Sequence, residues 1–470
     1  MKTFLTTWTG LLLLCFTLHG KEHPNVLLIT IDDLNDWIGC FGGHPQSKTP
    51  NIDGLAERGI RFTNAHCQAP ICNPSRVSFM TGIRPSTSGI YVNNQHFRRS
   101  KIMADAITLP QHLKANGYAT FGVGKLFHAS YIDQPSFTEY GPNPGQGPLP
   151  PTKLVKDIKS TSKLWDWGPW PPTNEASHDI QDAEWAVKKL QTEQDKPFFL
   201  GVGFYRPHVP FYAPPPWFKH HPLDKVQLPP VKEDDRDDLP AAAKALTDNA
   251  LPPSQAWMEE ENRWKEAVQA YLVSVTYVDH CVGMVVDALD RSAHAENTWI
   301  VFLTDHGFFL GEKDRWAKQS LWERATKTPL IIVPPKSRTE WPRGSICVQP
   351  VELLDLYPTL LEQCGVPERE NLEGISLTPL LKNPEALRDR PAITTYKADN
   401  HGIRSRNWRY IRYADGSEEL YFHPEDPHEW NNLAGQPEYA HVMARHRGWL
   451  PKINQPSVPT PSRKKPRRKQ

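Results

Sequence analysis

Cysteine is scarce and poorly placed for metal or redox work. There are seven in 470 residues, with no CxxC pair and no Cys/His cluster of zinc-binding spacing. Neither sign of charge is in excess: 54 Lys and Arg stand against 53 Asp and Glu, a formal net charge of +1. That removes any global pull towards nucleic acid or an anionic membrane. No internal repeat appears. Beyond the first twenty residues no run reads as long and apolar enough to cross a bilayer. Gly122 and Gly124 follow a strand-like stretch, but neither the Walker nor the dinucleotide spacing surrounds them.

What remains is a chain whose 39% hydrophobic content can bury one large core, or one large and one small. The first residues combine Lys2, an apolar stretch through Leu11–Phe16 and a small residue at Gly20, the pattern of a secretory leader over 1–20. The expected location is therefore secreted or periplasmic. Cys15 raises a lipid anchor, but Leu14 stands before it where a small residue is needed. At the other end, 451–470 reads as a basic disordered tail, with Arg463, Lys464, Lys465, Arg467, Arg468 and Lys469 in close succession.

Between them, several apolar, β-branched runs read as strands buried on both faces, and each ends in polar residues. Asn25–Ile31 is followed by Asp32 and Asp33. Ala119–Gly124 leads to Lys125 and His128, Lys196–Phe204 to His208, and Thr298–Leu303 to Asp305 and His306. Open α/β sheets place ligands at the carboxyl ends of their strands. Helices are expected over 51–58, 178–191, 264–289 and 351–364. From about 386 the elements become shorter and more polar, as in a small antiparallel sheet with one helix. The stretch 132–173, with Trp165, Trp167 and Trp170, reads equally as a substrate-side loop or a packed insertion.

The most pointed stretch is Cys72-Asn73-Pro74-Ser75-Arg76. Pro74 fits a first helical turn, Val77, Phe79 and Met80 are anchors, and Gly82 is a stop. Cys72 then lies at a helix N-terminus, where free N–H groups attract anions, and Arg76 lies one turn on.

Cys-x-Pro-Ser-Arg resembles the signature of the type I sulfatases, in which the cysteine is oxidised to formylglycine. The run through Thr81-Gly82-Ile83-Arg84-Pro85 is most similar to the iduronate 2-sulfatase branch. Many members carry Arg directly after Thr-Gly, where this chain has Ile83. Many arylsulfatases carry Asn where this chain has His306. The resemblance covers nearly all of the mature chain. It implies an alkaline-phosphatase-like α/β fold: a large, mainly parallel mixed sheet flanked by helices over 21–385, and an antiparallel-sheet subdomain over 386–450.

It also implies roles. Asp32, Asp33, Asp305 and His306, with residue 72, are the expected metal ligands. An oxygen-rich set with one neutral histidine favours calcium over its rival magnesium. Arg76, Lys125 and Lys318 are expected to hold the sulfuryl oxygens, His208 to protonate the leaving oxygen, and His128 to serve formylglycine beside it. The expected partners are a sulfated saccharide, such as a 2-O-sulfated uronate of a glycosaminoglycan, and the enzyme that matures Cys72. Nucleic acid and an integral membrane span are not expected. The competing readings are a phosphate diester or phosphonate monoester hydrolase on the same fold, and a carbohydrate-binding pseudoenzyme. With Cys15 removed and Cys72 modified, five cysteines allow at most two disulfides.

Overall fold

The computed structural model describes residues 23–129, 131–142 and 145–460. The expected leader over 1–20 and the basic run from Arg463 lie outside them. In chain order the main elements are β1 (Asn25–Ile31), α1 (Pro50–Arg58), β2 (Ile60–Phe62), α2 (Cys72–Thr81), β3 (Ala119–Gly124) and β4 (Glu139–Tyr140). They continue with α3 (His178–Leu190), β5 (Phe198–Phe204), α4 (Trp264–Asp290), β6 (Thr298–Thr304), β7 (Leu330–Val333), β8 (Ser345–Cys347) and α5 (Leu356–Cys364).

The eight strands form one sheet in the order β8-β2-β7-β6-β1-β5-β3-β4. Strand β7 runs against both of its neighbours, and every other adjacent pair is parallel. The alkaline-phosphatase-like expectation, mainly parallel yet mixed, matches this arrangement. Successive strand residues face opposite sides. Leu27, Ile29 and Ile31 therefore enter one apolar cluster with α1, α3 and α4. Val26 and Leu28 enter another with α2 and α5. A continuous β-branched run suits a strand covered on both faces in this way.

Helix α4 is long and apolar enough to cross a bilayer, contrary to the sequence expectation, but 83% of its most apolar window is buried inside the molecule. Its Val273, Val275, Val278 and Val282 belong to the core, so its length serves packing.

The C-terminal region forms a four-stranded antiparallel sheet: β9 (Ala392–Thr395), β10 (His401–Arg404), β11 (Trp408–Arg412) and β12 (Glu418–Phe422). Helix α6 (Ala440–Arg447) follows it.

Two open readings are settled and one expectation changes. Trp165 and Trp167 belong to the core. The Trp165 ring meets Phe211 and Trp316 edge-on at 5.8 and 6.1 Å, so this part of 132–173 is a packed insertion. All six described cysteines are free. The described part of the expected tail, from 451, is instead held to the body: Gln455 N–H donates to Ser86 O at 2.7 Å and Val458 N–H to Gly89 O at 2.9 Å.

Candidate active site

The site follows from sheet register. Ile31 of β1 is level with Phe204 of β5 and Thr304 of β6, and Gly124 of β3 is level with Gly203. The ladder continues one rung further, because Asp32 N–H donates to Phe204 O (3.2 Å), Asp305 N–H to Ile31 O (3.2 Å) and Lys125 N–H to Gly203 O (2.7 Å). Parallel strands of matched length thus deliver Asp32, Lys125 and Asp305 to one edge together.

Gly124 makes this possible. Its φ of +69° is left-handed, and a Cβ there would stand 2.1 Å from Gly203 O. The glycines of this stretch serve close packing and a turn, not a phosphate loop.

Asp33 also has a left-handed φ, of 62°, a conformation Asp tolerates better than most residues. Two contacts hold it there, one of them braced in turn by a third. Its N–H donates to Asp305 Oδ1 at 3.2 Å. The Tyr271 hydroxyl of α4 donates to Asp33 O at 2.8 Å and accepts from Asn35 N–H at 2.9 Å. The periodicity of α4 marks Tyr271 as a core position, and nothing in that pattern reveals the second task of its hydroxyl.

Helix α2 is buried along its whole length and begins at Cys72, as its sequence predicts. Gly82 closes it in the left-handed conformation, with its N–H on Ser78 O. Ser75 Oγ donates to Asp305 O at 2.5 Å, and Arg76 Nε donates to Asp305 Oδ2 at 2.9 Å. Arg76 also reaches Lys125 O, and its Nη2 lies 3.5 Å from Asp32 Oδ1. Arg76 is thus committed to the carboxylates behind Cys72.

Every sequence-predicted site residue converges here. Ligand atoms of Asp32, Cys72, Asp305 and His306 lie within 4.8 Å of one another, and so do those of Asp32, Asp33, Cys72 and His208. His306 Nε2 is 3.3 Å from Cys72 Sγ and 3.4 Å from Asp33 Oδ1. Its Nδ1 faces Gly307 O at 2.9 Å, which leaves Nε2 turned to the cluster. Lys125 Nζ pairs with Asp32 and Lys318 Nζ with Asp33. His208 stands on the open side, its side chain 12% exposed, with Nε2 3.9 Å from Asp32 and 3.8 Å from Asp33. His128 borders Cys72, and its Nδ1 is buried without a partner.

The electrostatics favour an anion at position 72. Burial opposes ionisation of the Cys72 thiol, but Lys125, Lys318 and His306 outweigh it and hold its pKa well below the usual value. Burial also lowers the pKa of His306, but Asp305 and Cys72 reverse this and raise it to about 9.

The donor set fits a hard divalent cation. Asp32 Oδ1 and Asp33 Oδ2 are buried without a hydrogen-bond donor. Unpartnered buried carboxylate oxygens are costly, and a cation among three carboxylates and an imidazole removes that cost.

The sequence profile of the Sulfatase family matches residues 24–366, and that of the C-terminal region of N-sulphoglucosamine sulphohydrolase matches 311–455. The chain belongs to the sulfatase family, and it is a sulfuric ester hydrolase. A Formosa agariphila protein named sulfatase is 41% identical over 92% of this chain and 87% of its own length. The iduronate 2-sulfatase of Mus musculus is 30% identical over 90% of this chain and 93% of its own. Among solved structures, BT4656 in complex with its substrate D-glucosamine-2-N,6-O-disulfate superposes with a TM-score of 0.72 at 22% identity, covering 91% of this chain and 97% of that one. The phosphonate monoester hydrolase of Agrobacterium radiobacter gives the same TM-score, 0.72, at 22% identity, covering 91% of this chain and 94% of that one. At such identity these likenesses establish the fold alone.

Proposed function

We propose that this exported enzyme removes sulfate from a sulfated saccharide, with a 2-O-sulfated uronate of a glycosaminoglycan as the first substrate to test. The observation that carries this is the meeting of Cys72 with three carboxylates, two lysines and three histidines at one sheet edge. The 30% identity to an iduronate 2-sulfatase supports the uronate, and the Lys2–Gly20 leader pattern supports export.

Asp32, Asp33, Asp305 and His306, with the side chain at 72, would hold a calcium ion, magnesium being the rival. Such an ion, when bound, neutralises the clustered carboxylates and draws electron density from sulfuryl oxygen. Formylglycine at 72, made by a maturation enzyme, would supply a hydrated aldehyde whose hydroxyl is the nucleophile.

The remaining tasks fall to the charged and imidazole side chains around residue 72. Lys125 and Lys318 bring two fixed positive charges against the sulfuryl oxygens. Arg76, turned to Asp305 and Asp32, keeps those carboxylates in place. His208, on the open side, gives its Nε2 proton to the departing sugar oxygen. His128, beside residue 72, takes a proton from the side chain there. The buried floor excludes water from the anion.

Peptide mass spectrometry across residue 72, on protein from the native host, is the first test. The aldehyde or its hydrate is the expected result. Unmodified thiol in fully active protein would overturn the assigned nucleophile. A fold shared with a phosphonate monoester hydrolase makes the second assay a direct rivalry: 2-O-sulfated uronate disaccharides against phosphonate monoesters and phosphate diesters. Higher kcat/KM on the phosphorus esters would favour the competing hydrolase.

A further inference from the structure

A second cleft, of about 380 Å³, opens between the 388–391 segment, the 405–408 turn and helix α6. Its size falls within the roughly 300–1,000 Å³ of small-ligand sites. None of the residues assigned to the active site lines it.

Its chemistry is one-sided. Arg388, Arg390, Arg406 and Arg445 line it, and Asp389 is the one carboxylate in that lining. Asp355 and Glu352 pair with Arg388 and Arg390 from behind, at 2.6 and 3.7 Å. The Arg388 side chain is only 6% exposed, yet its Nε has no hydrogen-bond partner, and neither has the buried Nε of Arg390. Both side chains are held from behind by carboxylates, so the charge open to the cleft is that of Arg406 and Arg445. Arg406 is exposed. Arg445 reaches Asp389 at 2.9 Å, with side chains 72% and 92% exposed, a pair too solvated to hold its charge against a better anion.

The aromatic content completes the case. Trp449 is 36% exposed, and the half-buried Trp408 is braced by Phe422 at 4.6 Å and Tyr439 at 5.3 Å. Flat, rigid indole faces beside guanidinium forks suit a ligand with apolar ring faces and charged edges. A sulfated sugar has both.

We propose that this cleft binds a sulfated oligosaccharide, holding a stretch of polymer outside the active site. The purpose rests on the saccharide sulfatase reading above, but the binding itself does not. The test is calorimetric titration of the full enzyme with a heparin hexasaccharide and, as a control, an unsulfated hexasaccharide of the same backbone. Wild type is compared with R406E/R445E and W449A at physiological salt, with melting temperature as the control for folding.

The expected result is at least a tenfold loss of heparin-hexasaccharide affinity in R406E/R445E, a smaller loss in W449A, and weak binding of the unsulfated chain throughout. Unchanged affinity in R406E/R445E at an unchanged melting temperature would overturn the site. Equal binding of the unsulfated chain would overturn its sulfate recognition. Should R406E/R445E melt early, R406A gives the same comparison from one exposed side chain. Hydrolysis of a small sulfated monosaccharide, expected at the wild-type rate in all variants, reads the active site separately. Its absence in wild type would count against the proposed substrate class while leaving the titration decisive for the cleft.

Discussion

Two clusters in this molecule, one buried and one half-buried, contain the same kinds of residue and do opposite things. Around Cys72, Asp32, Asp33, Asp305 and His306 meet Lys125, Lys318 and Arg76. Some 250 residues on, Glu323, Glu429 and His423 meet Arg404 and Arg409, also within mutual ligand distance. In this second cluster the acceptors are used up. Glu323 takes Arg404 Nε at 3.0 Å and the Arg409 guanidinium. Glu429 pairs with His423 Nε2 at 3.0 Å and accepts the Glu323 N–H at 2.7 Å, and Arg409 Nε lies 2.7 Å away as an ion pair. In the first, two carboxylate oxygens have no donor. Saturation makes a strut between the C-terminal sheet and the catalytic region, whereas incomplete saturation makes a site. Composition does not separate the two; the count of donors per oxygen does.

The sharpest way to break the comparison is at the nucleophile. C72A is expected to lose sulfate-ester turnover by at least roughly a thousandfold while keeping its melting temperature. Comparable residual turnover would mean that the chemistry is elsewhere. H208A is expected to lose roughly 10²–10⁴ in kcat on a sulfated sugar, whose leaving oxygen needs a proton. It should lose much less on 4-nitrophenyl sulfate, and equal losses would remove the acid role.

The two clusters should part on metal and stability. E429Q strips one partner from the buried Arg409 and is expected to destabilise by about 3–5 kcal/mol, with metal content by mass spectrometry unchanged. D33N should lower metal content, and a metal loss in E429Q instead would reverse the assignment. Y271F removes the hydroxyl that holds Asp33, and about a tenfold weaker metal affinity is expected, as for outer-shell partners generally. Calcium titration into chelator-treated protein measures it.

A prediction of a different kind, in pH dependence, concerns Asp182 of α3. Both of its oxygens are buried without partners, and burial, with Asp179 nearby, pushes its pKa up to about 9. Its folded pKa lies above the unfolded value, so the folded state holds the proton that the unfolded state has released. Its contribution is complete below about pH 4 and is lost as pH rises towards 9, with a limiting slope of about 1.4 kcal/mol per pH unit. D182N removes the titration, so its melting-temperature advantage over wild type should grow from pH 5 to pH 8. A constant difference would refute the buried, protonated carboxyl.

Much of this was legible without coordinates. The strand runs at 25–31, 198–204 and 298–304 are continuous and apolar because both of their faces are covered. Their polar ends then mark the working edge of the sheet. The motif around Cys72 carries its own helix start, anchors and stop. Less legible were Trp165 and Trp167, whose composition fits a sugar platform as well as a core; the few charges of α4 did mark it as a buried helix.

By itself, then, the sequence determined most of the residues that enter the site, because strand ends and helix starts are local properties of a chain; Lys318 came from the family resemblance alone, and Tyr271 from neither. Only the tertiary structure decided what they do to one another. Register aligned Asp32, Lys125 and Asp305 on one rung. The turn of Arg76 towards Asp305, the reach of Tyr271 to Asp33, and the donors that close the Glu323 cluster but not the Asp32 cluster are all contacts across tens to hundreds of residues. Such contacts depend on which faces pack together, and no local pattern encodes that.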